Sequence, residues 1–151
     1  MANWCSNTVQ FEGTAKQLKQ LEQLFEAMAA LEEKEGCGQL PDFIHEKTGY
    51  FFSTRWEEDV LYYETKWSPN TDKLIEVANY FNVGFTQSYE ESGMLIFGEA
   101  WYKDGSVTII ELDDDDFDSF SYDDQREDWV FEGEHYESDY EIKEILLERK
   151  K

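Results

Sequence analysis

The chain has 151 residues, the size of one ordinary domain, and 17% of them are aromatic, so a packed core is expected despite the charge. Thirty-five acidic residues against 13 basic give a net charge of −22, and 21 of the acids fall in residues 87–151. Phosphate backbones and anionic lipid head groups repel such a chain, so direct nucleic-acid or membrane-surface binding is disfavoured.

Trp4 to Glu12 reads as a strand closed by Gly13. Thr14 and Gln17 have the spacing of a capping box, and Leu18, Leu21, Leu24 or Phe25, Met28 and Leu31 then recur as one helical stripe that ends at Gly36 and Gly38. A loop runs through Pro41. From Tyr50, two alternating sets follow: Tyr50, Phe52, Thr54 and Trp56, then Leu61, Tyr63, Thr65 and Trp67. A four-residue turn from Glu57 to Val60 keeps both sets on one face, pairing Trp56 with Leu61 and Phe52 with Thr65. Ser68-Pro69 predicts a helix start, with Leu74, Val77, Ala78 and Phe81 as its buried stripe. Strands are expected at Val83 to Tyr89 and Met94 to Lys103. Asp104-Gly105 signals a tight hairpin, and the return strand, Ser106 to Leu112, places Ile109 and Val107 on the face of Ala100 and Tyr102.

Strand, helix, strand, strand, helix, strand, with one hairpin strand added, is a ferredoxin-like split βαβ plan. The expected architecture is α+β: an antiparallel sheet with two helices on one face. The chain is expected to be a single domain over 1–151, with its core in 1–112 and an acidic extension in 113–151. In that extension Phe117, Phe120 and Tyr122 are interspersed among acids. Ser138 and Glu141 then have capping-box spacing ahead of a last helix bearing Ile142, Ile145 and Leu146. The five tryptophans, Trp4, Trp56, Trp67, Trp101 and Trp129, are expected mostly on strand positions facing the helices.

Four ordered stretches resemble the YubB ferredoxin-like family of plasmid and phage proteins. They are Met1-Ala2-Asn3-Trp4-Cys5-Ser6-Asn7, Ser53-Thr54-Arg55-Trp56, Tyr63-Glu64-Thr65-Lys66-Trp67-Ser68-Pro69, and Tyr89-Glu90-Glu91-Ser92-Gly93 with Phe97-Gly98. The similarity covers about residues 1–105. It implies a ferredoxin-like fold without an iron–sulfur cluster and carriage by a mobile genetic element, and it transfers no catalytic residue.

The chemistry-bearing residues are sparse. Cys5 and Cys37 are too few for a disulfide framework, a cluster or a zinc site, and Cys5 is expected to pack as a small buried hydrophobe. His45 and His135 lie in polar stretches with no partner at metal-ligand spacing and are expected on the surface. Asp114, Asp116 and Asp118 have the first spacings of an EF-hand loop, but Ser119 replaces the required glycine and Gln125 the twelfth-position Glu, so no metal or cofactor is expected. Phosphate loops, nucleophile elbows and His-Glu-x-x-His are absent from the sequence. The longest apolar runs, such as Met94-Leu95-Ile96-Phe97, fall far short of the about 20 residues of a membrane span. No basic segment followed by an apolar stretch opens the chain, so a reduced, cytoplasmic setting is expected.

The sequence therefore points to a non-enzymatic acidic interaction protein that engages a basic protein partner. Its sharper form is a DNA mimic or anti-defence inhibitor, with Asp113, Asp114, Asp115, Asp116, Asp118, Asp123 and Asp124 presenting charge and Phe117 and Phe120 flanking them. The alternative is a small-ligand-binding domain or weak enzyme, which needs a concave pocket lined by Trp or Tyr with convergent polar groups. Phe117, Phe120 and Tyr122 either form a docking surface or fold back over the sheet's second face. Oligomeric state is not legible.

Overall fold

A computed structural model describes residues 3–151; Met1 and Ala2 of the opening signature lie outside the described residues. The first strand, β1, is Trp4–Glu12 and the first helix, α1, is Ala15–Glu35. The capping box forms: Gln17 N donates to Thr14 Oγ1 at 3.2 Å and Thr14 N donates to Gln17 Oε1 at 2.8 Å. Gly36, at φ 72°, ends the helix in the left-handed conformation that glycine adopts without steric cost.

β2 (Phe52–Glu57) and β3 (Val60–Lys66) meet through Glu58 and Asp59, at φ 50° and 62°. Trp56 pairs with Leu61, as the four-residue turn requires. Phe52 pairs with Glu64 instead of Thr65, because the register shifts between Phe52 and Arg55. Ser53 takes φ 51° there, and its N–H donates to both carboxylate oxygens of Glu32 on α1, at 2.8 and 3.0 Å.

α2 is Thr71–Phe81, so the helix opens two residues later than Ser68-Pro69 suggested, with Asn70 at the cap position. The Asn70 side chain makes no cap bond because it is committed inward: Oδ1 accepts from the Tyr63 hydroxyl at 2.7 Å and Nδ2 donates to Gly49 O at 2.9 Å. β4 (Gly84–Glu91), β5 (Ile96–Lys103) and β6 (Ser106–Glu111) complete the sheet. Asp104 and Gly105 both have positive φ, 52° and 80°, and Ala100 pairs with Ile109 and Tyr102 with Val107.

The strand order β2-β3-β1-β4-β5-β6, with every neighbouring pair antiparallel, is the ferredoxin-like order extended by the β5–β6 hairpin. Leu21, Phe25 and Met28 of α1 and Leu74, Val77 and Ala78 of α2 bury against Val9, Phe11, Leu61, Phe85 and Tyr102 in one cluster, so both helices lie on one face. Of the five tryptophans only Trp56 packs with that cluster. Trp4 and Trp101 alternate onto the opposite face, Trp67 is exposed beyond β3, and Trp129 belongs to the C-terminal extension.

One end of this interior is polar. Asn7 Nδ2 donates to Thr65 Oγ1 (3.0 Å) and to Cys5 O (3.1 Å), while Asn7 Oδ1 accepts from Gln87 Nε2 at 3.0 Å. Gln87 Oε1 in turn accepts from the Thr71 hydroxyl at 2.8 Å. Cys5 is buried beside this network, and desolvation pushes its thiol from 9.0 up to about 11. The folded state therefore keeps a proton that the unfolded chain releases near 9.0, and stability falls as pH rises between those values. Thiol labelling at pH 8 is expected to modify exposed Cys37 quickly and Cys5 only on unfolding. Equal labelling rates for the two thiols would contradict this burial.

Candidate interaction surface

Helices on one side leave the second face of the sheet without cover, and residues 113–151 supply part of it. Leu112 N donates to Phe97 O at 3.0 Å, and the chain then enters a short helix, α3 (Asp114–Asp118). Asp113 caps it reciprocally with Asp116: Asp116 N donates to Asp113 Oδ1 at 3.0 Å and Asp113 N to Asp116 Oδ2 at 2.8 Å. The Asp116 amide, then the Lys150 ammonium, hold the Asp113 carboxyl below its ordinary range. Lys150 Nζ lies 2.8 Å from Asp116 Oδ2 and 3.3 Å from Asp113 Oδ2.

A three-stranded meander follows, β7 (Phe120–Asp123), β8 (Asp128–Phe131) and β9 (Glu134–Tyr136). Phe120 pairs with Phe131, and Tyr122 stacks on Trp129 at 5.2 Å between ring centroids. Phe117 and Phe120 are half-buried against a second cluster of Phe97, Leu112, Phe131, Ile142, Leu146 and Leu147. These two rings thus fold back over the sheet. Asp114, Asp115, Asp118 and Asp124 remain exposed, while Asp123 Oδ1 accepts from Gln125 N (3.0 Å) and Arg126 N (3.3 Å) in the β7–β8 turn.

The last helix, α4 (Asp139–Arg149), buries Ile142, Leu146 and Leu147. Ser138 occupies the cap position without a side-chain bond, so the predicted Ser138–Glu141 box does not form; Asp139 and Glu141 suit the first turn through the helix dipole instead. Lys143, 4% exposed, pins the helix to the sheet, its Nζ 2.9 Å from Glu90 Oε2 on β4 and 3.2 Å from Asp139 Oδ2.

Between α4 and strands β1, β4 and β5 lies a cleft of about 270 Å³. Ser6, Thr8 and Ser88 form its floor, and Glu90, Glu99, Glu144 and Glu148 supply carboxylates around it. Burial, then a hydrogen bond to Glu144, raises the Tyr140 hydroxyl at its rim. Lys151 Nζ is held there, 2.9 Å from Glu99 Oε2, 2.6 Å from Glu148 Oε1 and 5.3 Å from the centre of the Trp101 ring. Two carboxylates and an aromatic face thus already enclose an ammonium group.

None of these cleft carboxylates belongs to the acidic run at 113–124. The signal for two of them was the alternation of β4 and β5, which puts Glu90 and Glu99 on the face opposite the helix-side core; Glu144 and Glu148 are one helical turn apart on α4. His45 is exposed in the loop before β2, well away in sequence from this cleft. His135 is exposed on β9, with its Nδ1 3.0 Å from Asp128 Oδ1. Asp123, Asp128 and His135 bring one ligand-type atom each within 4.8 Å of one another. Arg126 (3.7 Å from Asp128 Oδ2), the Asp123-bound turn amides and the His135–Asp128 contact take up those groups as ties across the meander.

Among the described residues no helix is long and apolar enough to cross a membrane. A family profile described as the ferredoxin-like domain in Api92-like protein matches residues 46–132, from the loop before β2 to the end of β8. No curated protein and no solved structure matches the chain. With more than half its length inside that profile and the strand order to go with it, the chain belongs to the family of the ferredoxin-like domain in Api92-like proteins.

Proposed function

We propose that this protein is a non-enzymatic interaction module of mobile-element type, acting in the cytoplasm, which binds a basic protein partner through the cleft beneath α4. The observation that carries this reading is the seating of Lys151 between Glu99 and Glu148 over Trp101, the contact that a partner's lysine or arginine would make. The partner class is a nucleic-acid-binding protein, whose cations are spaced for phosphates and meet carboxylates here, so that the module competes with the nucleic acid. Resemblance of residues 1–105 to plasmid and phage proteins of the YubB family supports the mobile-element assignment. Tyr89, Phe97 and Tyr140 line the cleft beside its four carboxylates, and rings together with carboxylates favour a cationic side chain over a neutral or anionic metabolite.

The test compares two variants with equal charge change: Glu144→Lys with Glu148→Lys in the cleft, and Asp114→Lys with Asp115→Lys on α3. Binding of a fluorescent oligolysine peptide at moderate salt is expected to weaken about tenfold more in the cleft variant, a difference of about 1.4 kcal/mol. Equal losses would mean that only net charge is read, and the cleft assignment would fall.

A further inference from the structure

The two edges of the six-stranded sheet are finished differently. β2, at one edge, carries the bulge at Ser53, whose N–H is taken by Glu32, and Arg55 and Glu57 form an ion pair at 3.3 Å along it. Before it, Phe51 exchanges backbone hydrogen bonds with Gln39, each 2.9 Å. These devices block strand addition. β6, at the other edge, has none of them. Its six residues, Ser106 to Glu111, pair with β5 in unbroken register, Val107 to Ile110 are all β-branched, and Glu111 is its one charged residue. Val107 and Ile109 are 42% and 50% exposed on the helix side of the sheet, where neither α1 nor α2 covers them.

The ladder fixes which backbone groups are open. Leu112 N bonds Phe97 O, so the even-numbered residues of this segment direct N–H and C=O toward β5. The two groups of a residue in an antiparallel ladder point the same way and alternate along the strand. Val107, Ile109 and Glu111 therefore present their N–H and C=O groups outward, in the spacing that an added strand needs.

We propose that β6 is a strand-addition site that accepts an extended segment of a partner protein, apolar at the positions opposite Val107 and Ile109 and basic at both ends. Charge selects this occupant. Asp104 lies at one end of the edge and Glu111, Asp114 and Asp115 at the other, so a second copy of this chain, itself at −22, would bring acids against acids. A segment with arginine or lysine at its ends meets them with opposite charge. Main-chain bonds supply affinity and the alternate side chains supply selection. This site does not depend on the cleft beneath α4.

The probe is a synthetic peptide of alternating valine and threonine with two arginines at each end, together with a twin N-methylated at alternate residues. Hydrogen exchange is expected to slow at the amides of Val107, Ile109 and Glu111 when the first peptide binds, with the twin binding about tenfold more weakly or worse. Ile109→Pro removes one outward N–H at an edge position that tolerates proline and is expected to abolish the protection. The Glu144→Lys, Glu148→Lys variant is expected to keep it, which separates this site from the cleft. Equal binding of both peptides would overturn the proposal in favour of charge alone. Concentration-dependent protection of the same three amides without peptide would overturn it in favour of a second copy.

Discussion

Asn7→Leu is expected to cost about 3 kcal/mol of stability, because it keeps the shape of the side chain and deletes the centre of the buried polar network. Asn7 is 2% exposed and joins β3, through Thr65, to β4, through Gln87. Leucine leaves the Thr65 hydroxyl and the Gln87 amide short of partners where water does not reach them, and each orphaned group costs about 1–3 kcal/mol. For a chain of this length the midpoint of thermal unfolding should fall by about 10 °C. Gln10→Leu, three residues along β1 and exposed, is the matched control and should stay within about 0.5 kcal/mol. A drop below about 1 kcal/mol for Asn7→Leu, read by denaturant melts, would show that the network does not hold the sheet together.

Ile142→Ala is expected to cost about 2–5 kcal/mol and to act locally first. Ile142 is fully buried, but its cluster is the smaller one, built from Phe97 and Leu112 of the sheet side and Phe131, Leu146 and Leu147 of the extension. Its loss should speed amide exchange in α4 and β7–β9 while β1, β3 and β4 keep their protection, since their cluster shares no buried residue with it. Uniform acceleration across both clusters would show that they unfold as one unit. Lys143 reinforces the same seam: buried against Phe97 and paired with Glu90 and Asp139, it ties α4 to β4 through charge-assisted bonds.

Where local chemistry decides the backbone, the sequence carries the fold plainly. Thr14 and Gln17 mark the start of α1, Asp104 and Gly105 mark the last hairpin of the sheet, and the alternation around Trp56 and Leu61 sets the pairing that the β2–β3 hairpin adopts. Expectations fail where a distant partner decides. The bulge at Ser53 depends on Glu32, 21 residues earlier, and the start of α2 shifts because Asn70 is drawn to Tyr63 and Gly49. Trp4 and Trp101 lie on the face away from the helices, against the expectation that most tryptophans face them, because alternation gives two faces without saying which one meets the helices. Residues 113–137 form one five-residue helix and strands of three or four residues, too short for a period to show, and their aromatics answer to Ile142 and Leu146, which follow later in the chain. The acidic excess of the last third was legible, but the cleft assembles Glu90, Glu99, Glu144 and Glu148 from three elements, and only the folded chain brings them together.

The unequal finish of the two edges also limits how large an assembly can grow. Runaway polymerisation by strand pairing needs an acceptor at each end of every subunit, so that each addition creates a new place to add. Here the Glu32-capped, bulged margin at β2 is a dead end, and a single incoming strand at β6 fills the one open margin of the six-stranded sheet. Complexes built this way stop at a fixed stoichiometry, because the six-stranded sheet offers no second margin through which subunits could chain.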